Sequence, residues 1–169
     1  RMDINQMIQF HCARQADVTV AALPVPLHAA SGFGIIEAEP DGRVIGFEEK
    51  PSQPKPMPQD HEQAYSSMGN YLFNTDLLVR VLEEDASQPG SHDFGRNIIP
   101  HLIQDHRVMA YNFCDNAVPG TKPYEERGYW RDVGTLEAYW QAHMDMLGAT
   151  PLFDLRNQNW PILTDTFDG

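Results

Sequence analysis

Tyr129-Trp130-Arg131-Asp132-Val133-Gly134-Thr135 sets an aromatic ring, an acid and a glycine-led helix start within seven residues. Trp130 offers a flat apolar face and Asp132 a hard anionic oxygen of the kind magnesium prefers. Gly134 lets the backbone turn before a helix that Thr135 is placed to cap. Read for structure alone, the stretch is the end of a strand followed by an N-capped helix, with Asp132 solvated and favoured by the helix dipole. Downstream, Leu136, Tyr139, Trp140, His143, Met144 and Leu147 recur at helical spacing and predict the clearest amphipathic helix of the chain. A strand that hands an acid to a helix start is α/β grammar, and the chain upstream alternates in the same way.

Immediately before this stretch, residues 115–128 read as loop and Val108 to Phe113 as a short strand. Asp93 predicts the cap of a helical stretch through Ile98, Ile99, Leu102 and Ile103, which Pro100 splits or kinks. Ala64 to Phe73 reads as a strand, and Asn74 or Thr75 caps a helix bearing Leu77, Leu78, Val81 and Leu82 on one face. Four prolines between Pro51 and Pro58, then polar residues to Gln63, predict a loop that is either a lid or a mobile connection. Ile35 to Ala38 and Val44 to Phe47 flank Pro40-Asp41-Gly42-Arg43, whose proline presets a turn and whose Asp-Gly pair tolerates positive φ, so a hairpin is expected. Asp17 to Pro26 predicts a strand with Val18, Val20 and Ala22 on one side. Asp3 and Gln6 pair as a capping signal ahead of Ile4, Met7, Ile8 and Cys12, so a helix begins almost at the first residue. From Thr150 the chain loses periodicity and reads as a linker.

Composition narrows the classes. A chain of 169 residues, 41% hydrophobic, suits one core. No apolar run approaches the roughly 20 residues of a membrane span, and the start is unlike a signal peptide, so a cytoplasmic, non-membrane protein is expected. Cys12 and Cys114 have neither the number nor the spacing of a disulfide framework or zinc site. Twelve lysines and arginines stand against 24 acids, a formal charge of −12, which argues against nucleic acid as a partner. Any phosphate must then be met by a few placed cations.

Four motifs fall at predicted element ends, where open α/β sheets bind ligands. Phe47-Glu48-Glu49-Lys50-Pro51 ends a strand and Ser66-Ser67-Met68-Gly69-Asn70-Tyr71 starts another. His92-Asp93-Phe94-Gly95 opens a helix, and Trp130-Arg131-Asp132 ends a third strand. In this order the chain resembles the sugar nucleotidyltransferases, in their ADP-glucose pyrophosphorylase (glucose-1-phosphate adenylyltransferase) branch, over nearly its whole length. The set of motifs is specific, whereas each tetrapeptide alone is weak. Asn159-Trp160-Pro161-Ile162 resembles that family's passage towards a C-terminal β-helix.

The resemblance implies an α/β fold, a Rossmann-like nucleotidyltransferase mixed sheet flanked by helices. It implies that the fold is incomplete, with the N-terminal nucleotide-binding part and the C-terminal β-helix missing. Residues 1–149 are then the C-terminal, sugar-phosphate-binding part of a catalytic domain, and 150–169 a linker. The implied reaction is attack of glucose 1-phosphate on the α-phosphorus of ATP, giving ADP-glucose and pyrophosphate for glycogen or starch synthesis. Mg2+ is the implied cofactor and a homotetramer the implied assembly. By the same resemblance Lys50 holds the phosphate of glucose 1-phosphate, its compact cation offsetting charge brought into an acidic protein. Glu49 accepts from sugar hydroxyls, Ser67 and Tyr71 reach the sugar from the neighbouring strand, and Gly69 allows close backbone approach. Asp93 meets a glucose hydroxyl, a role compatible with helix capping because a carboxylate keeps a second oxygen. Trp130 packs near the sugar, Gly34 gives close approach to the sugar nucleotide, and Asp132 binds magnesium. The plain structural alternatives are a solvated Lys50 and Glu49, a buried strand serine, a core tryptophan and an ordinary glycine before a strand.

Two family features are missing from these residues: the glycine-rich, arginine-containing nucleotide loop and the Gly-Asp-His segment with its second metal-binding aspartate. Met2-Asp3 resembles the end of that segment, so Arg1 is expected to be internal to a longer product, and the chain alone is expected to be inactive. Asn70 stands where many relatives carry an aliphatic residue. Alternatives from other classes are a sugar-phosphate-binding regulatory subunit without catalysis, and a pyrophosphorylase using UTP or dTTP. Asp93-Phe94-Gly95 also spells the kinase metal-binding tripeptide, but no His-Arg-Asp loop precedes it. His101 and His106 are five apart, on different faces of a helix, and make no metal pair.

Overall fold

The computed structural model describes residues 1–162. It divides into two compact units, Ile4–Cys114 and a second made of Arg1–Asp3 with the chain from Asp115 onward. The first holds α1 (Ile4–Ala13), β1 (Val18–Pro26), β2 (Gly34–Ala38), β3 (Val44–Glu49), β4 (Gln63–Phe73), α2 (Thr75–Ala86), α3 (Ile99–Asp105) and β5 (Val108–Asn112). A five-residue π-helical turn, Phe94–Ile98, runs directly into α3. Pro100 lies in the first turn of α3, where a missing N–H costs nothing. It marks the junction between the two helical geometries, as the predicted split requires.

The strands form one mixed sheet in the order β3-β2-β4-β1-β5. β1 and β5 run parallel, with Val20 opposite Ala110, and the remaining pairs are antiparallel. Val18, Val20 and Ala22 of β1 enter a core with Ile36, Val44, Leu77, Val81, Ile99, Leu102 and Val108. The α/β mixed-sheet expectation therefore holds. The period-two reading of β1 understates its burial, since Thr19 and Ala21 on the other side are fully buried too. His11 of α1 meets the Thr19 hydroxyl at 2.8 Å, giving that buried oxygen its partner.

The predicted hairpin forms between β2 and β3. Asp41 Oδ1 accepts from the Arg43 amide at 2.9 Å, and Gly42 takes a φ of 89° that favours glycine. The Gly42 carbonyl accepts from Ala110 N at 2.8 Å, so the turn is tied to β5. Asn74 occupies the N-cap position of α2, yet its side chain makes no capping bond. It donates to the Ala16 carbonyl at 3.3 Å and meets His11 Nε2 at 3.2 Å. Tertiary partners win over the local cap that the sequence offered.

In the second unit α4 (Leu136–Met144) starts at Thr135, whose hydroxyl accepts from Ala138 N at 3.1 Å. Two expectations need correction there. Residues 129–134 form no strand; side-chain hydrogen bonds hold this segment instead, so Asp132 does not end a strand. The helix is shorter than its apolar spacing predicted, and that spacing does not mark a buried face: Leu136 is 84% exposed and Trp140 59%, while Ala142 is buried. Leu152 N donates to the Asp145 carbonyl at 2.8 Å and Asn157 Nδ2 to the Pro119 carbonyl at 2.9 Å. The last seven residues of the expected linker, 163–169, lie outside the described residues. Among the described residues no helix is long and apolar enough to cross a membrane.

Candidate functional site

The hairpin brings the first group together. Gly34 at the start of β2 is the register partner of Glu49 at the end of β3. Lys50 follows with a φ of 52°, and its amide donates to the Phe33 carbonyl at 2.9 Å. A left-handed conformation at a non-glycine residue costs roughly 1 kcal/mol and recurs at ligand sites. It turns the chain sharply as β3 ends, leaving the Lys50 side chain exposed while Pro51 is buried.

β4 contributes Ser67 and Tyr71. The Ser67 hydroxyl accepts from Gly69 N at 3.3 Å and hydrogen-bonds the Tyr71 phenol. Burial raises the Tyr71 phenol above its ordinary value; the Ser67 bond opposes this, and the charges of Asp93 and Glu49 push further up. Tyr71 is therefore a neutral hydroxyl throughout the physiological range, with both carboxylates close enough to be felt. Its ring stacks on Phe94 at a centroid distance of 5.5 Å, which ties β4 to the π-helical turn.

Asp93 caps that turn. Its Oδ1 accepts from Arg96 N at 2.8 Å and its own amide donates to Asn97 Oδ1 at 3.1 Å. The residue is exposed. The cap predicted from sequence forms, and a carboxylate that caps through one oxygen has a second with which to accept from a ligand hydroxyl. Phe47 approaches both Gly34 and Gly95. A β-carbon at Gly34 would stand 2.8 Å from both Phe47 Cζ and Glu49 Oε2, and one at Gly95 would stand 3.1 Å from Phe47 Cε1 and 3.4 Å from Asp93 Oδ1. Sequence reading quoted Phe47 and Gly95 within motifs and gave neither a role. Two glycines near one aromatic were the available signal, but only coordinates show that both approach the same ring.

Trp130 and Asp132 belong to the second unit. Between them, Arg131 donates through Nε to Asp145 Oδ2 at 2.9 Å and through its terminal nitrogens to Glu126 at 2.8 and 2.6 Å. Its guanidinium also lies 4.4 Å above the Tyr129 ring centre. Burial alone would raise the Asp145 carboxyl, but the bonds from Gln141, Arg131 and Tyr129 outweigh it and hold the group below its ordinary range. Desolvation, then the Asp145 charge, pushes the Tyr129 phenol up to about 12. This network replaces the missing strand ladder and fixes the backbone on either side of Trp130. Trp130 is half-buried and Asp132 exposed, with Asp132 Oδ1 accepting from Gly134 N at 3.2 Å.

No cluster of three or more His, Cys, Asp or Glu side chains poised for a metal occurs among the described residues. Asp132 fits magnesium as a single hard oxygen ligand, because that ion keeps waters and takes substrate phosphate oxygens for its remaining positions. Chemically, Lys50 supplies a cation, Glu49 and Asp93 carboxylates, and Ser67 and Tyr71 hydroxyls, all within the first unit.

The family model described as nucleotidyl transferase matches residues 1–148. The chain is 54% identical over its whole length to a glucose-1-phosphate adenylyltransferase of Thermodesulfovibrio yellowstonii, covering 41% of that protein. It is 52% identical, over 97% of its length, to the enzyme of that name from Anaeromyxobacter dehalogenans, covering 40%. Against glucose-1-phosphate adenylyltransferase 1 of Vibrio cholerae the identity is 48%, with the same two shares covered. The chain thus spans about two fifths of the length of these curated relatives.

Proposed function

The chain belongs to the nucleotidyl transferase family, and from that premise we propose that it is the sugar-phosphate-binding part of a glucose-1-phosphate adenylyltransferase. The observation that carries the reading is the pairing of Gly34 with Glu49 at one hairpin end, with Lys50 next in the chain, while Ser67, Asp93 and Glu49 all act on the Tyr71 phenol. A sugar phosphate needs a cation for its phosphate and acceptors for its hydroxyls, and these residues supply both.

In the proposed reaction a phosphate oxygen of glucose 1-phosphate attacks the α-phosphorus of ATP. A new P–O bond forms as the α–β bridge breaks, and pyrophosphate leaves. Lys50 neutralises the sugar phosphate and holds it for in-line attack. Glu49 and Asp93 accept from glucose hydroxyls, while Tyr71, neutral at working pH, donates to the sugar or accepts from it. Ser67 orients Tyr71, and the bare backbone of Gly34 leaves room for the ligand. Trp130 is assigned to the sugar and Asp132 to Mg2+, which offsets phosphate charge when bound. The longer protein is proposed to work in the cytoplasm as a homotetramer, without nucleic-acid or membrane partners. This chain alone is proposed to make no ADP-glucose.

A chimera tests the reading. The matched segment of the Thermodesulfovibrio yellowstonii enzyme is replaced by this chain, and the product is assayed with glucose 1-phosphate, magnesium and ATP, UTP or dTTP. ADP-glucose formation that Lys50→Ala suppresses at low glucose 1-phosphate is expected; a chimera that folds and forms no ADP-glucose, or whose demand for glucose 1-phosphate Lys50→Ala leaves unchanged, overturns the reading.

A further inference from the structure

Gly34 and Gly95 both have backbone angles open to any L-residue, since neither is among the glycines of positive φ. Their lack of a side chain is therefore not a matter of turn geometry. Gly34 opens β2, where strands favour larger side chains, so its place has a steric reason. Phe47 gives the same reason for both. Its ring passes within 2.8 Å of where a Gly34 β-carbon would sit and within 3.1–3.2 Å of that at Gly95. The ring is a spacer held between β2 and the π-helical turn.

What it spaces are two carboxylates. Glu49 lies two residues beyond Phe47 on β3, hence on the same face of the strand. Its Oε2 crowds the same empty position at Gly34 that the ring does, and Asp93 Oδ1 approaches the empty position at Gly95. We propose that Phe47, seated between Gly34 and Gly95, is a positioning residue that sets the separation of Glu49 and Asp93 around one sugar ring. The inference rests on the sugar-phosphate reading above and extends it to residues that touch no ligand. A side chain at Gly95 displaces the ring or the Asp93 carboxylate, and a shorter residue at 47 lets the two walls close. Lys50 is exposed and is not among the nearest atoms to either empty glycine position, so these changes are expected to disturb hydroxyl contact more than phosphate contact.

The test is calorimetric titration of the 169-residue chain and of Gly95→Ala, Phe47→Leu and the double variant, with glucose 1-phosphate and with inorganic phosphate, alongside each melting temperature. Gly95→Ala is expected to weaken glucose 1-phosphate about tenfold and inorganic phosphate by less than about twofold, the scale of a sub-ångström misplacement of two polar groups. The double variant is expected to regain most of that loss, because leucine frees the space the new methyl takes. Equal losses for both ligands, losses that follow melting temperature alone, or no recovery in the double variant overturn the spacer role. A wild-type chain that binds inorganic phosphate as tightly as glucose 1-phosphate overturns the sugar reading itself, and the spacer role with it.

Discussion

Arg131 Nε donates to Asp145 Oδ2 at 2.9 Å, and Asp145 is only 6% exposed. A carboxylate so placed is costly unless its charge is met, and Arg131 meets it while also forking onto Glu126. Arg131→Ala should therefore destabilise the second unit by roughly 3 kcal/mol, the scale for leaving one member of a buried pair alone. Arg131→Lys should restore less than half, because an ammonium cannot bridge both acids with the guanidinium's geometry. Denaturant titration of the two variants measures the difference.

The same pair fixes an acid sensitivity. Asp145 is held below its ordinary value of 3.8 in the folded chain, so the folded state favours the ionised form. The stabilisation is complete above that value and is lost as pH falls through the lower folded value. The wild-type melting temperature should drop steeply below about pH 4, whereas Asp145→Asn should begin lower and change less over the same window. A matching slope in both proteins would remove Asp145 from the account. At the other extreme, Tyr129 titrates near 12, so its neutral-state stabilisation fades only as pH rises beyond the ordinary tyrosine value of 10.

Lys50 separates folding from binding. Its φ of 52° suits glycine better than lysine. Lys50→Gly should leave stability unchanged or raise it by up to about 1 kcal/mol, while removing the cation that meets the phosphate. In the chimeric enzyme Lys50→Ala should raise the KM for glucose 1-phosphate by about a hundredfold and that for ATP by far less. Equal rises in both KM values would take Lys50 out of its assigned role.

Asp132→Asn tests the metal assignment in the same chimera. The amide keeps the bond from Gly134 N, seen at 3.2 Å, and loses the charge. Turnover at saturating substrates should fall about a hundredfold, the scale on which loss of a placed charge reduces kcat. Unchanged turnover across a magnesium titration would defeat it.

The sequence announced whatever local pattern controls. The Asp41-Gly42 turn, the Asp93 cap, the Pro100 junction and the Thr135 cap each depend on neighbours within four residues, and each forms where its signal lies. Expectations weakened wherever distant partners decide. Asn74 abandons its cap for Ala16 and His11, Thr19 is buried because α1 supplies a hydrogen-bond partner, and the Tyr129 to Gly134 stretch is held by Arg131 rather than by a ladder. The site divides in the same way. Glu49, Lys50, Ser67, Tyr71 and Asp93 were legible as motif residues, whereas the work of Phe47 depends on two glycines far apart in sequence meeting one ring.

Titration of the 169-residue chain with glucose 1-phosphate, run beside Lys50→Ala, bears most directly on the central claim. Saturable binding of one molecule per chain, abolished by the substitution while the melting temperature stays within a few degrees, is the predicted result. No binding by the folded wild-type chain, or binding that Lys50→Ala leaves intact, contradicts it.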